Sequence, residues 1–328
     1  MTASGLRIVL AGSVGSSRLT LQALLRHRAN VVGVLELLPD DSTKVSGYAR
    51  LHDVAAEASV PCVGFQKLNE PNIVEQVREW QPDLLFAVGL SQLVKAELLS
   101  VPKLACIGFH PTRLPRGRGR APVAWLVLDA TPGAATFFVM DEGADSGPIL
   151  VQEPFDVRPT DDAEQVTAAL EQAIVRALDH WLPSLLSGEW NPQPQDDAAA
   201  TYHGKRAPED GWIDWSRSAR EIDALIRAAS RPHPGAFTFF KDRRLLVWRA
   251  ELDTSTPFRG VIGRVLLTDP QRGFLVQTGD GVLWLNEVAW SGGDSPKLAV
   301  GQRLGYVVED EISQLKSRIA ELEKLIKG

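Results

Sequence analysis

Leu6-Arg-Ile-Val-Leu-Ala11 is an apolar run of strand length. It breaks at Gly12-Ser-Val-Gly-Ser16, and Leu19 to Leu25 then place apolar residues at helical spacing. The same rhythm repeats outward from this stretch. Strand-like runs follow at Val31 to Leu37, Pro61 to Phe65, Asp83 to Val88 and Leu104 to Phe109, with helices expected near residues 51 to 58 and 71 to 80. Alternation of this kind predicts an α/β domain built on a mostly parallel sheet covered by helices. Ligands of such sheets bind outside the carboxyl ends of the strands, so chemistry is expected in the segments that leave Val88 and Phe109.

A long helical pattern at about residues 162 to 182 puts Val166, Leu170, Ile174, Leu178 and Trp181 on one face and ends near Pro183 and Gly188. It closes a first domain over residues 1 to 190. Residues 191 to 211 are polar and Pro-rich, the composition of a linker. After a short helix at about 217 to 229 the chain becomes β-rich, with runs at Ala236 to Phe240, Leu245 to Glu251, Gly260 to Leu267, Gly273 to Thr278 and Val282 to Trp290. Short strands between Gly/Asp turns predict a small barrel, here a second domain over 212 to 305.

The last segment, 306 to 328, returns to helix. Ile312, Leu315, Ile319, Leu322 and Ile326 recur with 3-4-3-4 spacing, and Ile alternating with Leu is the preference of a parallel two-stranded coiled coil. A homodimer through this helix is one expectation. A helix packed on its own subunit is the other, and the seam is regular enough to resemble an appended oligomerisation segment.

At 328 residues the chain is long enough for two domains, and its 44% hydrophobic and 23% charged content excludes extended disorder. The net charge of -6 offers no global attraction to nucleic acid or to a membrane surface. Two cysteines, Cys62 and Cys106, make neither a disulfide framework nor a CxxC motif, so no metal site and a reducing, cytoplasmic compartment are expected. No apolar stretch approaches the ~18 residues of a membrane span.

Chemistry concentrates in two loops. Cys106-Ile-Gly-Phe-His110 ends a strand in a histidine, followed by Pro111-Thr-Arg-Leu-Pro-Arg-Gly-Arg-Gly-Arg-Ala-Pro122. A His at a strand end, neutral in large part at working pH, can act as a general base; it can equally pin the loop by hydrogen bonds. Met140-Asp-Glu-Gly-Ala-Asp-Ser-Gly147 is a run of turn formers between two apolar segments. Paired strands there would return Asp145 to the edge of His110, where a carboxylate could orient the imidazole; otherwise Asp145 is a turn residue. Gly89, in Ala87-Val-Gly-Leu-Ser-Gln92, is read either as a close-approach glycine or as an ordinary turn. Gly12 to Ser16 lacks the GxGxxG of a dinucleotide site.

These two loops resemble those of the folate-dependent formyltransferases, which include methionyl-tRNA formyltransferase and the amino-sugar N-formyltransferases. His110 to Pro122 is similar to the family's His-x-x-x-Leu-Pro-x-x-Arg-Gly-x-x-Pro, and Asp141 to Gly147 to its Asp-x-Gly-x-Asp-x-Gly. The resemblance runs from about residue 6 to 305 through Asp210-Gly-Trp-Ile-Asp-Trp215, Arg231-Pro-His-Pro-Gly-Ala-Phe237 and the Gly279-Asp-Gly281 turn. It implies a Rossmann-like formyl-transferring domain, an OB-like second domain, and 10-formyltetrahydrofolate as donor. It further implies His110 and Asp145 as catalytic residues, with the pterin held by Ala87, Val88, Gly89, Leu90, Gln92, Asp141, Gly143 and Ala144. The chain departs from the family at Gly108, where the family places an Asn, the side-chain donor to the oxyanion. Loss of one such donor typically costs about 10²- to 10³-fold in turnover. A backbone N–H, a water, Gln92 or Thr112 could take its place.

The acidity of the chain and the absence of a Lys-rich stretch in its terminal barrel speak against tRNA. Lys205 to Trp215 with Arg231 to Phe237 resemble the sugar-modifying branch, which implies the amine of a small molecule, foremost a nucleotide-linked amino sugar, as acceptor. Arg116, Arg118, Trp212 and His233 are its candidate contacts, through anion pairing and stacking, although the arginines could instead tie the loop to carboxylates and the tryptophans could be packing. Methionyl-tRNA and amino-acid derivatives are alternative acceptors. A module that binds folate or a nucleotide sugar without turnover is the alternative from outside enzymology.

Overall fold

The structure, a computed structural model, describes residues 5–42, 45–292 and 296–327. It divides into two compact units, Met1–Arg206 and Ala207–Gly328.

The first unit alternates as its sequence predicts. β1 (Arg7–Gly12), α1 (Gly15–Arg26), β2 (Asn30–Leu37), α2 (His52–Glu57), β3 (Cys62–Phe65), α3 (Pro71–Trp80), β4 (Leu84–Ala87), α4 (Ala96–Leu99) and β5 (Ala105–Thr112) lead to β6 (Arg118–Gly119) and α5 (Pro122–Asp129). β7 (Gly133–Val139), β8 (Ile149–Phe155), α6 (Ala163–Leu186) and β9 (Tyr202–His203) complete it. The main sheet has the order β3-β2-β1-β4-β5-β7-β8. Its first five strands are parallel, and β7 and β8 add antiparallel. Ile8, Val9, Leu10 and Ala11 of β1 are wholly buried, the uninterrupted apolar run of a strand covered on both faces. Because β2 and β4 flank β1 on opposite sides, the chain reverses direction across the sheet at the β1/β4 boundary, where a doubly wound sheet opens its crevice. Ser17 at the start of α1 closes part of it by donating its Oγ hydrogen to the Val88 carbonyl at 2.7 Å.

α6 starts as expected, with Asp162 and Gln165 exchanging capping bonds. It does not stop at Pro183. The helix runs to Leu186, forfeiting one backbone bond, because Leu182 and Leu185 on either side of the proline are fully buried.

The expected linker is the clearest departure. Residues 193 to 203 are hydrogen-bonded into the first unit: Gln193 forms a bridge with Ile149, and β9 pairs in parallel with β6. Gln195, one of the polar side chains that suggested a connector, satisfies two carbonyls of the acidic loop described below.

In the second unit α7 (Ala219–Ala229) is capped by Ser218 and Glu221. It is followed by β10 (Ala236–Phe240), β11 (Arg243–Asp253), β12 (Val265–Asp269), β13 (Gly273–Gln277) and β14 (Val282–Trp290), in an antiparallel sheet ordered β10-β11-β14-β13-β12. Segment 301–305 bridges the two edges. Leu304 N–H donates to the Gly263 carbonyl just before β12, and Gly305 N–H donates to Phe239 of β10. This stitching curls five strands toward a barrel. Ile213, Ile222, Ile226, Leu245, Val247, Leu283 and Leu285 fill the interior. α8 (Val308–Lys327) ends the chain.

Among the described residues no helix is long and apolar enough to cross a membrane. Glu36, His52 and Cys62, distant in sequence, bring one potential ligand atom each within 4.8 Å of one another. Burial pushes the Cys62 thiol up to about 11, so the sulfur there is protonated, and Glu36 already accepts the Leu51 N–H at 3.0 Å.

Candidate active site

The site is built where β5 leaves the sheet. Since β7 and β8 form an antiparallel pair, their loop, residues 140 to 148, returns to the end of β5. His110 lies on β5, 4% exposed, with its Nδ1 3.5 Å from Asp145 Oδ2 and its Nε2 2.8 Å from the Gly117 carbonyl. A carbonyl only accepts, so Nε2 carries the proton and the neutral ring turns the Nδ1 lone pair toward the carboxylate.

Burial pushes the His110 pKa below the ordinary 6.5. The Asp145 carboxylate and the Gly117 carbonyl pull the other way, and His203 adds to the lowering. The imidazole is therefore neutral at working pH, and a proton arriving at Nδ1 lands beside a negative charge. That is the electrostatic arrangement of a general base whose protonated form a carboxylate stabilises, the ring itself being oriented by the Gly117 carbonyl.

Asp145 is held on both sides. Its residue has a left-handed φ of 53°, its Oδ2 accepts the Gly119 N–H at 2.8 Å, and its carbonyl accepts from Gln195 Nε2 at 2.8 Å. The 110–122 loop is closed on itself by Thr112 Oγ1, which donates to the Arg116 carbonyl at 2.8 Å, and is tied to the 193–203 segment by Gly117 N–H, which donates to Thr201 Oγ1 at 2.8 Å. Asp141 caps the second loop by accepting from Gly143 N–H and Ser146 Oγ.

Several expected contacts take other work. The buried Arg118 is spent on the protein itself: its guanidinium donates to Gln195 Oε1, to Tyr202 Oη and to Asp197 Oδ1. This is the loop-tying alternative, and it joins β6 to the segment that reads as a linker. Arg116 is exposed. Gln92 is also engaged, donating from Nε2 to the Gln66 carbonyl and accepting the Leu68 N–H. With Thr112 and Gln92 both committed, neither is poised to replace the family's Asn. At Gly108 a Cβ would come within 2.9 Å of Met140 Cγ and 2.7 Å of Phe138 Cζ, so the space for a larger side chain is already filled with hydrocarbon. Gly89 has a φ of +64°, and the volume beside its Cα is taken by Val14 and Ser16.

Ala87 and Val88 are buried at the end of β4, while Leu90 and Met140 are half-buried on the rim of one apolar cluster that includes Ala87 and Cys106. Gly143 and Ala144 are exposed on the acidic loop. Trp212 and His233 belong to the second unit, where Trp212 is half-exposed and His233 N–H donates to the Ser230 carbonyl.

The sequence reading missed His203. Its ring stacks on Trp125 at 4.9 Å and its Nε2 lies 3.4 Å from Asp129 Oδ2, inside the segment taken for a connector. A lone His in a polar stretch carries no periodic signal that could have singled it out.

Residues 7–181 match the family model described as formyl transferase, and residues 205–299 match the formyl transferase C-terminal domain. The chain belongs to the formyl transferase family. It is a folate-dependent formyltransferase by membership, with 10-formyltetrahydrofolate as the family's donor. A methionyl-tRNA formyltransferase from Geobacter sulfurreducens is 31% identical to this formyltransferase over 294 residues, 88% of this chain and 90% of that one. An N-formyltransferase from Helicobacter canadensis, solved with folinic acid and dTDP-3-aminofucose, superposes with a TM-score of 0.62 at 16% identity, covering 86% of this chain and 99% of its own. HypX from Aquifex aeolicus, solved with tetrahydrofolic acid, gives a TM-score of 0.62 at 17% identity; 88% of this chain is covered, but only 45% of HypX. This formyltransferase thus spans under half the length of that relative.

Proposed function

We propose that this formyltransferase moves the formyl group of 10-formyltetrahydrofolate to the amine of a small molecule, a nucleotide-linked amino sugar. The meeting of His110 and Asp145 at the end of β5 carries the reading, since transfer to an amine requires a proton to leave nitrogen. The bound donor supplies the activated formyl carbon. Leu90 and Met140 would offer an apolar wall to its pterin, beside the backbone of Gly89 and of the acidic loop from Asp141 to Ala144. His110 takes the proton at Nδ1, and Asp145 holds the resulting charge.

The amino-sugar acceptor is supported by the net charge of -6 and by the likeness to proteins solved with dTDP or with dTDP-3-aminofucose. A second reading, methionyl-tRNA as acceptor, is favoured by the 31% identity to the Geobacter sulfurreducens relative. The protein is further read as a homodimer through α8.

The test follows tetrahydrofolate release from 10-formyltetrahydrofolate with panels of nucleotide-linked amino sugars, amino acids and charged methionyl-tRNA. Release is expected with an amino sugar and is expected to fall by about 10²- to 10⁴-fold in His110→Ala. Release with methionyl-tRNA alone establishes the second reading. Equal turnover in both proteins removes His110 from the reaction.

A further inference from the structure

α8 carries Ile312, Leu315, Ile319, Leu322 and Ile326 with between 46% and 84% of each residue exposed. The alternative of a helix packed on its own subunit therefore fails for this stripe. Twenty residues span about 30 Å, and a helix of that length with one apolar edge in water is marginal without a cover.

The sequence around the stripe says what covers it. With Ile312, Ile319 and Ile326 at heptad position a and Leu315 and Leu322 at d, the flanking positions other than Leu325 at g are charged: Glu311 and Arg318 at g, Lys316 and Glu323 at e. In a parallel pair each g residue faces the e residue five positions later on the other helix. Glu311 of one copy then meets Lys316 of the other, and Arg318 meets Glu323, opposite charges each time and twice over by symmetry. An antiparallel pair also matches charges, Lys316 with Glu323 and Glu311 with Arg318, so charge alone does not choose. The apolar layers do. A parallel pair stacks Ile on Ile and Leu on Leu, with β-branched residues at a and Leu at d, the arrangement that favours two strands.

We infer that α8 binds a second copy of itself as a parallel, in-register two-stranded coiled coil, with Glu311–Lys316 and Arg318–Glu323 pairs flanking an Ile/Leu seam. This deepens the reading of α8 as a dimer contact and is independent of the transfer chemistry, which the tetrahydrofolate-release assay tests separately.

Sedimentation equilibrium on the full chain decides it. The native chain is expected to be a dimer, and Leu315→Asp a monomer whose far-UV spectrum loses at most the helical signal of α8, since that side chain is exposed within one copy. Lys316→Glu, which sets Glu311 of one copy against a second carboxylate on the other, is expected to weaken association by about tenfold. Adding Glu311→Lys restores opposite charges only in the parallel arrangement. In the antiparallel one the double variant opposes Glu323 with the new carboxylate and Arg318 with the new ammonium, so like charges meet at both contacts. Recovery of the dimer in the double variant supports the inference. Failure to recover, a monomeric native chain, or a dimer indifferent to Leu315→Asp each overturns it.

Discussion

The ring of Phe138 on β7 lies over Gly108 on β5, its Cζ 2.7 Å from where a Cβ at position 108 would stand. The two residues are register partners, so their side-chain positions share one face of the sheet, and one partner has grown into room the other leaves. Gly108 is thus part of a packed unit with Phe138 and Met140, and position 108 is closed to any larger residue as the chain stands.

Restoring the family residue should therefore fail by itself. Gly108→Asn is expected to destabilise the first unit by about 1–3 kcal/mol through overpacking and to leave turnover no higher. In a Phe138→Ala background the same asparagine should cost less, so the fall in melting temperature on Gly108→Asn should be smaller there than in the native chain. Differential scanning calorimetry on the three variants checks this; a single Gly108→Asn as stable as the native chain refutes the packed-unit view.

The depressed pKa of His110 fixes the direction of the pH dependence. The acid limb of the rate, where the base is lost to protonation, should lie below 6.5. Since Asp145 holds the value up, Asp145→Asn should slow turnover and shift that limb to still lower pH. The linked stability term has the same sign. With the folded value below the unfolded one, the unfolded chain binds more protons between them, so the contribution is full above about 6.5 and declines as pH falls toward the folded pKa. NMR titration of the His110 ring protons in both proteins reads these shifts directly, and a midpoint above 6.5 would contradict the burial argument.

Arg118 serves the fold. Arg118→Ala leaves the side chains of Gln195 and Tyr202 without their buried partner and should cost about 2–4 kcal/mol. It should also release residues 193–203, made visible as new cleavage in limited proteolysis. Arg118→Lys keeps the charge but loses the fork and should recover little. An Arg118→Ala protein with a native melting temperature but a raised KM for the acceptor would instead make Arg118 a substrate contact.

Gly89 cannot be enlarged. Its φ of +64° and the nearness of Val14 and Ser16 combine backbone strain with a clash, so Gly89→Ala should destabilise by more than the ~1 kcal/mol of a strained alanine alone. Urea unfolding measures it, and a neutral result would mean that the 87–92 segment moves freely away from α1.

The sheet was legible because its strands are buried on both faces. Val31 to Leu37, for example, is apolar except for the buried Glu36 where Asn30–Leu37 forms β2. Pro183 was misleading for a physical reason: a local breaker loses to two fully buried leucines, and a window of sequence does not weigh burial. Residues 191–211 read as a linker because polar composition is the same whether side chains face water or satisfy partners within the fold. Gln195, His203 and the β6–β9 pairing were invisible for that reason. Gly108 was legible as a departure, whereas its cause was not, since Phe138 is thirty positions away and becomes its neighbour only through strand pairing.

The amino-acid sequence by itself determined the alternation of strands and helices, the two loops that bear His110 and Asp145, and the Ile/Leu seam of the tail, because each is written in local periodicity or in a short spacing. Tertiary structure alone decided which polar groups are used up. Arg118, Gln92 and Thr112 could each have faced a ligand, and each is bound within the chain. Burial and hydrogen-bond pairing are properties of neighbours in space, and the neighbours here come from segments up to eighty-four residues apart, as the Arg118–Tyr202 bond shows.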